Sequence, residues 1–99
     1  MTFYEAQDKL QEYKNEIASC DLEISQVIDE LNKIDDMLLY HFLTATQESR
    51  LVQKQKELQA KLNWLLEKKG ENQESYEDFY QKFINALKKK LGRDLEVEN

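Results

Sequence analysis

Apolar residues recur along this chain in steps of three and four. Phe3, Ala6, Leu10, Tyr13, Ile17, Cys20, Ile24, Val27, Leu31, Ile34 and Leu38 keep that spacing without a miss. A helix gathers such positions on one stripe, whereas a strand would alternate at every second residue. With Phe3 as position a of a heptad and Ala6 as d, the stripe is a coiled-coil seam. His41 takes the next seam position and ends the apolar run. The pattern predicts a first helix over about 3–43, roughly 60 Å long.

The same spacing returns in Leu51, Gln55, Leu58, Leu62, Leu65, Lys69, Asn72, Tyr76, Phe79, Phe83 and Ala86. Between the two runs stands Thr44-Ala45-Thr46-Gln47-Glu48. Thr44 and Gln47 have the spacing of a capping box, and Glu48 suits the positive end of a helix dipole. A reversal at about 44–46 follows, then a second helix over about 46–91. Gly70 weakens that helix by roughly 1 kcal/mol relative to alanine. Ser75 and Asp78 have the residue types of a helix start. A break would normally lose the heptad phase, and here the phase is kept. One long helix, weakened or kinked at 69–74, is therefore expected, with three helices as the alternative. Lys88, Lys89 and Lys90 suit a helix C-terminus and Gly92 the position after it. Residues 92–99 form an acidic C-terminal tail.

The expected fold is all-α: a long antiparallel two-helix hairpin. Folded about Thr44, seam residues pair so that their numbers sum to 89. Leu31 then meets Leu58, Val27 meets Leu62, and Ile24 meets Leu65. Towards the termini Leu10 meets Phe79, Ala6 meets Phe83 and Phe3 meets Ala86. The last two pairs set small against large, as close packing requires. Cys20 falls opposite Lys69, beside Gly70, where the seam is thin.

Two helices bury one stripe each, and apolar residues remain. Tyr4, Ala18, Ile28, Leu39 and Phe42 occupy heptad positions b and e of the first helix. Val52, Leu66, Tyr80, Ile84, Leu87 and Leu91 occupy them on the second. In an antiparallel pair the e flanks share a side, so both stripes converge on a second face. Such a face marks an interface. The candidate partner-binding residues are Tyr4, Ile28, Leu39, Phe42, Val52, Leu66, Tyr80, Ile84 and Leu87. A helical partner would complete a four-helix bundle over them. A broken second helix folding back would instead cover the face internally. Trp64, at position c, lies away from this face, either as a separate contact or with its ring against a lysine stem.

Composition narrows the function. The chain has 99 residues, no proline, two glycines, one cysteine and one histidine. Its net charge of −6 disfavours nucleic acid as main partner. A small nucleic-acid-associated regulator using the second-helix lysines is the weakest functional reading. Residues 1–43 carry ten acidic and three basic side chains, whereas 44–99 carry ten acidic and eleven basic. The halves can attract each other across the hairpin. A lone Cys20 and a lone His41 give no disulfide, His/Cys metal site or Cys–His nucleophile pair. None of the phosphate-loop, dinucleotide or zinc-protease motifs occurs. No enzyme activity, cofactor or metal is expected. There is no apolar run long enough for membrane insertion, and Met1-Thr2-Phe3-Tyr4-Glu5 is not a cleavable signal. A cytoplasmic protein is expected, or one exported without a cleaved signal peptide.

A chain of this length, reversed near its middle and carrying a second face, resembles the W-x-G hairpin family. These are the early-secreted-antigen-like substrates and partners of type VII secretion. More narrowly it resembles the helical targeting partners encoded beside LXG toxins in Firmicutes. The resemblance covers residues 3–91 in architecture. It implies a chaperone-like targeting factor that binds the toxin's helical N-terminal domain and helps deliver it for export. The turn, Phe42-Leu43-Thr44-Ala45-Thr46, has no W-x-G, and Trp64 is followed by Leu65 and Leu66. Nor does Y-x-x-x-[DE] follow the second helix; Tyr4 and Asp8 match it at the opposite end. The resemblance thus implies a member without its own export signal, working beside a partner that has one. The alternative is a homodimeric structural or regulatory coiled-coil protein, phage-encoded in one version of that reading.

Overall fold

The computed structural model describes residues 2–91, and the expected 92–99 tail lies outside them. Helix α1 spans Phe3–Tyr40 and helix α2 spans Ala45–Leu91. They pack antiparallel as one hairpin, 72 × 26 × 15 Å in extent. Its radius of gyration is 22.0 Å, against about 13 Å for a compact domain of this length.

Both helices begin with a reciprocal cap. Thr2 Oγ1 accepts from the Glu5 N–H at 3.2 Å, and the Thr2 N–H donates to Glu5 Oε2 at 3.4 Å. Thr44 Oγ1 accepts from the Gln47 N–H at 3.2 Å, and the Thr44 N–H donates to Gln47 Oε1 at 3.0 Å. Each pair satisfies donors that a helix start leaves open. The first box was readable as T-x-x-E. Lys88, Lys89 and Lys90 occupy the last turn of α2, where the dipole favours cations.

Two boundaries differ from expectation. α1 stops at Tyr40, three residues short of Leu43, and the connection is 41–44 instead of 44–46. Helix axes lie about 8–10 Å apart, and roughly three extended residues are needed to cross that gap. Those residues come from the end of α1, because Thr44 already serves as the N-cap of α2. His41 is the C-cap in extended conformation, its N–H still donating to the Met37 carbonyl at 3.2 Å.

α2 runs unbroken through Gly70, and this corrects the three-helix alternative. Ser75 and Asp78 sit in the helix interior. Seam contacts on both sides of Gly70 outweigh its entropic cost. A Cβ at Gly70 would meet no atom within 4 Å. Gly70→Ala is therefore expected to stabilise the hairpin by about 1 kcal/mol, raising the melting temperature by about 4–8 °C. Thermal unfolding followed by circular dichroism checks this; a lower melting temperature would mean that the helix is not regular at Gly70 in solution.

The cross-helix ring contacts fall on either side of the expected pairs, whose numbers sum to 89: Phe3 with Phe83 sums to 86 and Tyr13 with Phe79 to 92. Phe3 and Phe83 ring centroids lie 5.6 Å apart, and those of Tyr13 and Phe79 6.1 Å. A second ladder, which the heptad reading did not use, joins position e of α1 to position a of α2. Lys14 Nζ lies 5.9 Å from the Tyr76 ring, Lys69 Nζ 2.5 Å from Asp21 Oδ1, and Gln55 Nε2 donates to Asp35 Oδ1 at 2.7 Å. In each pair the numbers sum to 90. Lys69 is thus a seam residue whose ammonium escapes sideways to a carboxylate. Cysteines at positions 10 and 79, with Cys20 replaced, are expected to crosslink within one chain. Non-reducing electrophoresis under dilute conditions reads this, and crosslinks only between chains would refute the hairpin pairing.

The core is thin. Buried apolar residues are Ala6, Leu10, Cys20, Val27 and Ile34 from α1 and Leu65 from α2, with Leu65 at 0% exposure. Of the α1 residues, all but Leu10 are d positions. The neighbouring a positions Ile17, Ile24, Leu31 and Leu38 are only half-buried. Position g, which adjoins d, carries Lys9, Glu16, Glu23, Glu30 and Met37 on α1 and Lys54, Lys61, Lys68, Ser75, Lys82 and Lys89 on α2. Long charged side chains cover apolar surface with their stems. On α1 the d side is thus the more buried and the a side the more open, whereas on α2 the two rows are mostly half-buried alike.

Candidate partner-binding face

The open side is where positions a, e and b meet. Heptad geometry puts e about 40° and b about 100° from a, so these rows adjoin. Along α1 the half-buried a row of Ile17, Ile24, Leu31 and Leu38 borders Ile28, which is 41% exposed, and Leu39, which is 73% exposed. Apolar surface left open by the seam is therefore continuous with apolar surface that the hairpin does not use.

The nine candidate residues fall into three groups along the long axis. Near the turn are Leu39, Phe42 and Val52. Leu39 and Phe42 are exposed, and Val52 is half-buried. In the middle are Ile28 and Leu66, both exposed. Near the termini are Tyr4, Tyr80, Ile84 and Leu87. Tyr4 stands edge-on to Phe3 with centroids 5.8 Å apart, and Tyr80 stacks on Tyr76 at 5.9 Å. Ile84 and Leu87 are half-buried. The side chain of Leu91 lies outside the described residues.

The groups are separated by polar surface. Ile28 borders a shallow groove shared with Leu31, Asn32, Asp35, Gln55, Lys56 and Gln59. The Asp35–Gln55 and Asp21–Lys69 pairs cross the hairpin on this side, above and below Ile28. Lys69 and Asp21 are 29% and 52% exposed, so water screens the pair and its net worth is small. The sequence pattern alone suggested a more continuous stripe than this. Position e of α1 reads Gln7, Lys14, Asp21, Ile28 and Asp35, of which Lys14, Asp21 and Asp35 each have a partner on α2. Phe42, expected in this row, lies beyond the end of α1 in the connection, fully exposed, so the heptad does not place it on the face. What remains is a set of apolar patches on a polar frame, the usual make-up of a non-obligate interface.

Other candidate chemistry is placed as follows. Trp64 is 56% exposed, with Lys68 Nζ 5.1 Å from its ring centre, which is the lysine-stem reading of that residue. Cys20 is buried in the seam at 3% exposure. Asn72 Nδ2 is buried and has no hydrogen-bond partner within the hairpin. Such a donor costs stability, and a polar seam residue serves to specify register. Sequence reading marked Asn72 as a polar seam position. Its missing acceptor depends on which atoms lie opposite, which no pattern reports. Among the described residues no group of three or more His, Cys, Asp or Glu side chains is placed to hold a metal ion. No helix among them is long and apolar enough to cross a membrane.

No protein family, characterised protein or solved structure matches this chain. Its function is therefore read from the surface it presents.

Proposed function

We propose that this chain is a non-catalytic helical adaptor, whose a/e/b face takes a second helical protein and completes a four-helix bundle with it. The supporting observation is the one-sided seam. On α1 the d row is buried except at Tyr13, while most of the a row stays half-open beside exposed Ile28 and Leu39. A two-helix hairpin that worked alone would have no reason to leave apolar surface on one side and charged rows on the other. The elongated shape supports the same reading. The chain exposes 8049 Å², where a compact monomer of 11.9 kDa would expose about 6,000 Å².

In the finer form of the proposal, the partner is the helical N-terminal domain of an exported LXG-type toxin, which this chain helps to target for type VII secretion. That form rests on the resemblance in length, hairpin plan and second face. The partner is heterologous. Helix α1 carries ten acidic and three basic residues, and α2 ten basic and seven acidic. A two-fold pair that set α1 against α1 would oppose like charges. A partner whose facing helices are neutral or basic avoids that. The homodimer remains the competing reading, with α1 of one copy crossed on α2 of the other.

Sedimentation at low and high salt separates the two. A monomer at micromolar concentration, which forms a stoichiometric complex only with a co-expressed helical toxin domain, is the expected result. A tight dimer that persists at low salt, where repulsion is least screened, would refute the heterologous partner.

A further inference from the structure

At the open end of the hairpin, where α1 begins and α2 ends, the two helices part around a recess of about 200 Å³. Its walls include Phe3, Ala6, Phe79, Phe83 and Leu87. Phe3 is 44% exposed although it occupies a seam position. Phe3 packs on Phe83 with centroids 5.6 Å apart, and the small residues Ala6 and Ala86 line the recess beside that ring pair, where a larger side chain would fill it. The only charged residues lining the recess are Lys82 and Lys90; no carboxylate lines it. Neither lysine belongs to an ion pair among the described residues. Leu87 also belongs to the apolar e row of α2, so the recess opens onto the face described above.

We infer that this recess is an anchoring subsite for an acidic helical segment of the partner. It takes one large apolar side chain against the outer faces of the phenylalanine rings, beside Ala6 and Ala86, and neighbouring carboxylates at Lys82 and Lys90. The inference rests on the adaptor reading and adds to it a direction of docking. Over most of the hairpin α1 presents an excess of carboxylates, which repels an acidic segment. Two lysines around an apolar recess with no acidic lining residue make this end the favourable place for one. An apolar side chain inserted into a desolvated recess beside a charged rim is the arrangement of an interface hot spot. The rim charges set orientation and encounter more than affinity. A partner with a neutral or basic body and an acidic tip would dock in one direction only.

The test uses the full chain, isotopically labelled, and two synthetic helical peptides. Each peptide carries one leucine stripe. In one the flanking residues are glutamate, and in the other glutamine. Nuclear magnetic resonance is expected to show the acidic peptide shifting the ring signals of Phe3, Phe79 and Phe83. It should bind about fivefold more tightly than the glutamine peptide at low salt, as two partly exposed charge pairs would provide. The difference should vanish in a Lys82→Gln, Lys90→Gln variant, whose substitutions lie at the recess rim and leave helicity intact. Equal binding of the two peptides, or no shift of these rings, overturns the inference. So does a severalfold gain in peptide affinity on removing residues 92–99, because those residues would then be the occupant. Ring shifts that follow protein concentration without peptide would make a second copy the occupant, and overturn it equally. An Ile28→Asp, Leu66→Asp variant keeps the two readings apart. It should lose partner association along the long face and still bind the acidic peptide.

Discussion

Leu65→Ala is expected to cost about 2–5 kcal/mol, the range for truncating a fully buried leucine. Leu65 is 0% exposed and is the one large side chain among the described residues below 2%. It lies near the middle of α2, in the best-buried stretch of the seam, where Val27 and Cys20 of α1 are 2% and 3% exposed. Small domains have only about 5–15 kcal/mol in total, and a hairpin with six buried apolar residues among those described belongs near the lower end. The loss should lower the melting temperature by more than about 10 °C. Leu58→Ala is the control: Leu58 occupies the same heptad position one turn of the repeat earlier and is half-buried, so its truncation should cost about half as much. Urea unfolding of both variants, compared at equal m-value, gives the answer. Equal losses, or a loss below about 1 kcal/mol at Leu65, would show that the seam described here is not the core in solution.

The double substitution Ile28→Asp, Leu66→Asp should act on association and leave the fold in place. Both residues are exposed, at 41% and 51%, so in the isolated hairpin the new carboxylates stay hydrated. In a bundle they would be enclosed. Breaking a buried contact by leaving an uncompensated charge costs about 3–5 kcal/mol, a loss of more than a hundredfold in affinity. Circular dichroism should show unchanged helicity, while co-purification with a helical partner fails. Loss of helicity in the variant would mean that this face is internal core. Full retention of partner binding would move the interface elsewhere, and the exposed Trp64 side would be the next surface to test.

Much of this architecture was legible in the sequence, because a helix converts spacing directly into direction. An unbroken run of threes and fours from Phe3 to Leu38, resumed at Leu51, determined the helices, their apolar stripe and the antiparallel plan. Thr44 and Gln47 determined where α2 starts, since a reciprocal cap is a local contact between near neighbours. Folding the two heptad runs about Thr44 gave the approximate register, and small residues facing large ones near the termini agreed with it. The end of α1 was not legible. It depends on how many residues the chain needs to cross between two packed helices, which is a property of the pair. The heptad phase kept across Gly70 already pointed to one helix there, against the glycine's own propensity, and α2 is continuous through it.

The candidate face divides in the same way. Periodicity alone located the apolar residues at positions b and e, and antiparallel geometry put them on one side. Only the tertiary structure decided which of them work together. Three polar members of the α1 e row are taken up by residues some twenty to sixty positions away in the sequence, as with Asp35 and Gln55 or Lys14 and Tyr76. The unequal burial of the a and d rows is also a tertiary fact. Sequence assigns both rows of α1 to the seam with equal weight, and only its packing on α2 separates buried Cys20, Val27 and Ile34 from half-buried Ile17, Ile24 and Leu31.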